Sequence, residues 1–552
     1  MKTKTLSRIF ASGLILALMS GCSAPAATPP ASSGSETTPP ATETPIEEEG
    51  YSLPIVKEPI TLKFMTRESE YPGTSFNTTT PLIWQEFEKN TGIHIEFEAM
   101  PTAELTEAVQ LRLAAKSDVP DMIQIPGAQD GSYLSRYLND GVIVPLNDYI
   151  DQYGTNIKKI FEAYPDYEKS LTLPDGSIAG FGNVRASQYG FRCQMIRQDW
   201  LDKLGLPMPT TPEELLETAL AFAENDMNGN GQADEIGMSG YGTQWKEIGH
   251  AWGLHFVTGD GWDVEDGKIV FESITPAYQD FLRFLKKCVD SGAFPADWQS
   301  CDKETHLARV SNSQVGLFVR SPALDALNYL DPSQSMKQAI PEADWRVVPA
   351  LDGPYGKGIF VKEPIAQLSR TVVVTSANKY PAETVKWLDY VIFSEEGVRY
   401  NQYGVEGLNY KIEDGKVIKT PSEWDDNKPQ ADGSWLGIGD YMPSVYTNES
   451  DEAVFAHLNL GEDNPALLSI QACWPTVEEP FVPPIPTVED GKRVSALMAD
   501  IKTYVDEMFY QFLNGEADID KDFDKYVEQL ESIGLNEVIG IYQSAYDARE
   551  TK

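Results

Sequence analysis

The stretch from Ile60 to Ile125, ITLKFMTRESEYPGTSFNTTTPLIWQEFEKNTGIHIEFEAMPTAELTEAVQLRLAAKSDVPDMIQI, decides the fold. ITLKFMTR (60–67) is a short apolar run with polar breaks, the pattern of a strand. Thr80-Pro81 opens a helix, because proline suits a first turn whose amides have no partner, and Leu82, Ile83 and Phe87 form its apolar face. Gly92 ends that helix, and IHIEFE (93–98) alternates apolar and polar residues like a half-buried strand. Leu105, Val109 and Leu113 recur every four residues and mark a second helix; DMIQI (121–125) is a third strand. Strand, helix, strand, helix, strand at this spacing predicts a parallel sheet covered by helices, an α/β architecture.

Further along, a second unit begins near CQMIRQDWLDKLGL (193–206). Thr211 is the expected N-cap of its next helix, with Pro212 in the first turn and Glu214 completing a capping box. Leu215, Ala219, Phe222 and Ala223 are that helix's expected buried stripe. TVVVT (371–375) has the composition of a strand buried on both faces, 381–393 reads as a helix, and the chain is charged and helical from 489 onward. The folded part, roughly 500 residues, is too long for one hydrophobic core, so two domains are expected.

The N-terminus carries an address. Lys2, Lys4 and Arg8 precede an apolar run from Ile9 to Met19 that is too short to span a bilayer, so residues 1–21 read as a signal peptide. The run ends in Met19-Ser20-Gly21-Cys22, similar to the bacterial lipobox, with Met19 where leucine is usual. Cys22 is therefore the expected site of lipidation (palmitate among the acyl chains), anchoring the protein to the cell membrane on its extracytoplasmic face. Residues 22–57 hold that cysteine and a tether rich in Pro, Ser, Thr and Glu, which cannot bury a core and spaces the folded part from the membrane on the order of 30 Å. With 84 acidic against 44 basic residues, the formal charge is −40, which argues against nucleic acid and against binding to anionic lipid. Membrane contact is expected through the lipid alone. Cys193, Cys288, Cys301 and Cys473 show no CxxC spacing, and the sequence does not decide between disulfides and free thiols.

DMNGNGQADE (226–235) alternates oxygen-bearing side chains with glycine. Asp226, Asn228 and Asn230 fall at positions one, three and five of a cation loop, Gly231 at six, and the carbonyl of Gln232 at seven. Position twelve is Gly237, so the bidentate glutamate of an EF-hand is missing and Asp234 and Glu235 are its available replacements. Oxygen donors without Cys or His favour calcium, here in a structural role because a caged ion has little room for substrate. The alternative is a solvated Asn-Gly turn.

MIRQDWLDKLGLPMPTTPEELLETALAFAENDMNGNGQADEIGM (195–238), VKWLDYVIFSEEG (385–397) and YGVEGLNY (403–410) resemble the family-1 extracellular solute-binding lipoproteins of bacterial ABC importers. The likeness is to the long oligosaccharide-binding type of Gram-positive bacteria, LipO-like lipoproteins included; the alginate-binding proteins of the class carry a similar calcium loop, whose late ligands Asp234 and Glu235 would match. AAKSDVPDMIQIPG (114–127) and LNDGVIVPLNDYI (138–150) fit the same family's first lobe. The resemblance implies a periplasmic-binding-protein-like fold of two α/β lobes joined by a hinge, with the ligand cleft between them. Chain order then places 58–180 plus 371–440 in lobe 1 and 181–370 plus 441–552, which holds the loop, in lobe 2. It also implies a monomer that captures a carbohydrate and delivers it to ABC permease subunits.

Sugar sites combine aromatic platforms with polar rims, which draws attention to Tyr241, Trp245, Trp252 and Trp262. Ligands of α/β sheets also bind beyond the carboxyl ends of strands, which adds Arg67, Glu68, Tyr71, Gln129, Asp130, Asn183, Arg185 and Arg320. An arginine among these would select a uronate-bearing sugar. No nucleophile elbow, H-E-x-x-H or phosphate loop is present, and the histidines (94, 250, 255, 306, 457) are scattered, so no catalytic residue is expected. The competing readings are a surface glycan sensor or adhesin and a secreted glycoside hydrolase.

Overall fold

A computed structural model describes residues 47–48, 50–68, 82–126, 132–242, 244–256, 261–322, 338–407, 410–413, 416–419, 442–447 and 464–550. The described residues belong to one compact unit, Ile46–Lys552. The leader, Cys22, most of the tether, Tyr71, Gln129 and Asp130 lie outside the described residues.

The principal elements are, in chain order, β1 (Ile60–Arg67), α1 (Leu82–Thr91), β2 (Ile93–Met100), α2 (Thr102–Ala115), β3 (Met122–Pro126), α3 (Ser132–Asn139), β4 (Phe181–Arg185), β5 (Arg192–Arg197), α4 (Pro212–Ala223), β6 (Ile236–Ser239), α5 (Pro276–Asp290), β7 (Val315–Pro322), β8 (Trp345–Val347), β9 (Ala366–Val374), α6 (Pro381–Leu388), β10 (Val445–Tyr446), α7 (Val488–Asn514), α8 (Ile519–Ile533) and α9 (Leu535–Glu550). They build two sheets. A six-stranded sheet runs β10-β4-β9-β3-β1-β2, and a four-stranded sheet runs β8-β5-β7-β6.

In the first sheet β1 pairs in parallel with β2 and β3, as the opening stretch predicts. β9 enters antiparallel between β3 and β4. Alternation places Val372 and Val374 in one core with Leu62, Phe64 and Met122, and Val373 in another with Met65, Ile123 and Ile125. Both faces are thus covered, which is why TVVVT carries no polar interruption. Helices α5 and α7–α9 share the largest core with Trp200, Phe222 and Leu317 beside the second sheet.

Three expectations need correction. The packed region begins before residue 58: Tyr51 and Leu53 are buried, and the Tyr51 hydroxyl donates to Asp389 Oδ2 at 3.1 Å. β4 and β10 belong to the six-stranded sheet, so 181–185 and 445–446 lie with the first lobe; β4 is held there by its pairing with β9. The capping box at α4 is displaced by one residue: Thr211 Oγ1 accepts from the Glu214 amide at 3.2 Å, but Glu214 Oε2 accepts from the amide and hydroxyl of Thr210, each at 2.8 Å. Cys193, Cys288, Cys301 and Cys473 are buried thiols, not joined in disulfides.

Candidate functional site

The loop 226–235 joins the C-terminal end of α4 to β6. Asp226 accepts from the amides of Gly229 (2.7 Å) and Gly231 (2.8 Å) through its two carboxylate oxygens. Asn228 Oδ1 accepts from the Asn230 amide, and Asn230 bridges the Gln232 amide and Asp234 Oδ1. Gly229 and Gly231 stand at φ +78° and +88°, backbone that side chains rarely adopt. Glu235 is buried; its Oε1 accepts from the Met227 and Asn228 amides at 2.6 and 2.8 Å, whereas its Oε2 is buried with no hydrogen-bond partner. A buried carboxylate oxygen without a partner, in a loop rich in oxygen-bearing side chains, is chemistry that suits a hard cation.

The missing glutamate at position twelve also has a steric cause. A Cβ on Gly237 would lie 2.4 Å from the Ala219 carbonyl oxygen of α4, a backbone atom that cannot move aside. Strand and helix touch there, and the loop's buried carboxylate is Glu235, two residues earlier.

A second polar cluster sits where the chain passes between the sheets. Arg185, ending β4, lies 3.6 Å from Glu363 and 3.9 Å above the Tyr446 ring. Arg192, opening β5, stands 4.0 Å from both Glu363 and Glu247. Burial raises the Glu247 carboxyl to about 7 against the pull of Arg192. Nearby, burial lowers the His250 imidazole to about 4.

The candidate ligand residues part company. Trp245, Trp252 and Trp262 are 0%, 5% and 2% exposed and are core residues: Trp245 stacks on Phe294 at 4.0 Å, Trp252 packs on Phe281 and Phe284, and Trp262 on Phe271. Their density reflects the aromatic core around α5. Asn183 is fully buried and accepts from the Ser444 amide at 2.9 Å, tying β10 to the sheet. Tyr241 is half-buried against His306. Arg67 and Glu68 are half-buried at the carboxyl end of β1, the position expected of cleft groups. Arg320 lies within β7.

His255, Asp263 and Glu272 bring three potential metal-ligand atoms within 4.8 Å of one another. His255 Nδ1 is 2.9 Å from Glu272 and 3.4 Å from Asp263. Burial works against the imidazolium, but the two carboxylates outweigh it and hold the group up to about 10. With the ring protonated the cluster is a largely buried ion pair, built from three groups that could hold a metal ion.

One groove spans both lobes. It is lined by Tyr133 and Arg136 of α3 and by Val488, Lys492 and Ser495 of α7. Sequence reasoning stopped at Gln129 and Asp130, just short of α3. Nothing in the charged C-terminal helix singled out Lys492.

Two α/β lobes with polar groups gathered at their junction define a binding-protein architecture. Residues 72–398 match the bacterial extracellular solute-binding protein family, and the chain belongs to it. It is 29% identical over 534 residues to the fructooligosaccharide ABC transporter substrate-binding protein FusA of Streptococcus pneumoniae serotype 4, covering 90% of this chain and 92% of that one. It is 25% identical over 480 residues to the polygalacturonan/rhamnogalacturonan-binding protein YtcQ of Bacillus subtilis, covering 84% and 87%. Among solved structures, FusA with kestose superposes with a TM-score of 0.67 at 25% identity, covering 89% of this chain and all of that one. The alginate-binding protein AlgQ2 without calcium ion gives 0.69 at 22%, covering 91% and 100%, a likeness of fold.

Proposed function

We propose that this protein captures an oligosaccharide outside the cell and delivers it to the permease subunits of an ABC transporter, without cleaving it. The observation that carries this reading is the two-lobed fold with a groove open to both lobes, in a chain aligned along most of its length with two carbohydrate-binding relatives. Arg67, Glu68 and, beyond the described residues, Tyr71, Gln129 and Asp130 are the proposed ligand contacts at strand ends. Cys22 is the proposed lipid anchor, holding a monomer at the extracytoplasmic face of the membrane.

Calcium is the proposed structural cofactor. Asp226, Asn228, Asn230, Asp234 and Glu235 would hold it through side-chain oxygens and Gln232 through its carbonyl. The orphaned Glu235 oxygen supports this, as does a solved EF-hand mutant of FusA, 25% identical to this chain. The ion would fasten α4 to β6.

The test is a thermal-shift and calorimetric titration of the full chain with kestose, maltotriose, trigalacturonate and trimannuronate. A ligand at a hundredfold its dissociation constant adds about 2.7 kcal/mol of stability. Binding of at least one sugar, recovered uncut, is the expected result. Binding of none, or recovery of cleaved sugar, refutes the reading.

A further inference from the structure

The groove between the lobes has a chemistry of its own. It holds about 190 Å³, less than the about 300–1,000 Å³ of a whole small-molecule site, which suits a subsite for one residue of a longer chain. Its two walls come from different lobes. Leu134 and Tyr137 of α3 pack with Met65, Ile123 and Val373 of the six-stranded sheet. Val494, Leu497 and Ile501 of α7 pack in the core that contains Ile196 and Leu317 of the four-stranded sheet. A molecule seated here touches both lobes at once, the requirement for a ligand that favours closure.

The walls bring two cations together. Arg136 and Lys492 face the groove, and neither is paired with a carboxylate among the described residues. In a chain with 84 acidic and 44 basic side chains, two positive groups lining one groove without an acidic partner give it a local positive potential that attracts an anion. Arg136 lies 4.7 Å from the Tyr137 ring centroid and 5.4 Å from that of Tyr133, which holds its guanidinium in place. Of the carboxylates nearest Lys492 in sequence, Asp490 accepts from the Thr487 hydroxyl at 2.7 Å at the helix cap. Tyr133, 39% exposed, adds an aromatic face, and Ser495 a hydroxyl on the α7 side.

We infer that Arg136 and Lys492 form an anionic subsite that selects a carboxylate-bearing sugar, a uronate, with Tyr133 supporting the ring. This rests on the carbohydrate-capture reading and names the substrate class for it. A guanidinium offers a carboxylate two parallel donors and an ammonium a third, whereas a neutral hydroxyl gains far less from either. The two cations come from the two lobes, so one carboxylate drawn between them holds the cleft closed.

The experiment is calorimetry on the full chain with trigalacturonate, trimannuronate, kestose and maltotriose, in wild type, Arg136→Gln, Arg136→Lys and Lys492→Gln. A uronate trimer binds wild type more tightly than either neutral trimer, and added salt weakens it alone. Arg136→Gln and Lys492→Gln each weaken the uronate by about tenfold or more. Both leave the melting temperature unchanged and weaken a neutral sugar far less than the uronate, and Arg136→Lys recovers part of the loss. Binding of neutral sugars alone overturns the inference and leaves carbohydrate capture standing. Uronate affinity unchanged in both glutamine variants, or equal loss for charged and neutral sugars, also overturns it. Binding of no sugar overturns both readings.

Discussion

Replacing Glu235 tests the cation loop most directly. Its Oε1 receives the Met227 and Asn228 amides, and its Oε2 is buried without a partner. Glutamine keeps an oxygen for the two amides but removes the charge that a cation would meet. Glu235→Gln is therefore expected to melt near the wild-type temperature in chelator and to lose most of the calcium-dependent rise. Calcium at a hundredfold its dissociation constant supplies about 2.7 kcal/mol. At about 2–4 °C per kcal/mol for a lobe of roughly 200 residues, wild type should rise by about 5–10 °C. Glu235→Ala also strands one buried and one half-buried amide, so it should fall below wild type in chelator as well, by about 1–3 kcal/mol. Differential scanning calorimetry with chelator, then with calcium at rising concentration, reads all three chains. A wild type indifferent to calcium, or a Glu235→Gln chain that responds as fully as wild type, refutes the reasoning.

Three further outcomes follow from the packing. The His255 imidazole is held up to about 10, above its ordinary 6.5, so its contribution to stability is complete below pH 6.5 and fades as pH rises toward 10. Wild type should lose up to about 1.4 kcal/mol per pH unit across that window, and His255→Gln should show a flatter profile in urea melts. A Cβ at Gly316 would lie 2.3 Å from Phe222 and 2.7 Å from Trp200, so Gly316→Ala should cost about 1–3 kcal/mol; an unchanged urea midpoint would contradict this packing. Asp389 accepts from the Asn156 and Ile157 amides and from the Tyr51 hydroxyl, so Asp389→Ala should destabilise the first lobe by about 3 kcal/mol and free the segment at Tyr51 to proteolysis.

Local patterns in this chain are legible where one element settles its own burial. The strand 60–67, the buried positions of α2 and the Thr211 cap are all found where the sequence puts them. Long-range pairing is not. No local signal says that β9 inserts antiparallel between β3 and β4, and that insertion is what moved the lobe boundaries. Indole density misled because a tryptophan looks alike in sequence whether it faces a sugar or the Phe281–Phe284 cluster. Arg136 was overlooked because a lone arginine on a helix gains meaning only from Lys492, which lies far along the chain. The loop itself was readable as a donor pattern, but the reason for its departure from an EF-hand needed the contact between Gly237 and Ala219.

The placement of β9 bears on the order in which the molecule is made. Until Ala366–Val374 has emerged, β4 has no neighbour joining it to β3, and the first lobe is split through its middle. A nascent chain therefore passes two-thirds of its length with its N-terminal half unable to close. For a member of an extracellular protein family, this delay favours threading across the membrane as an open strand and folding on the far side.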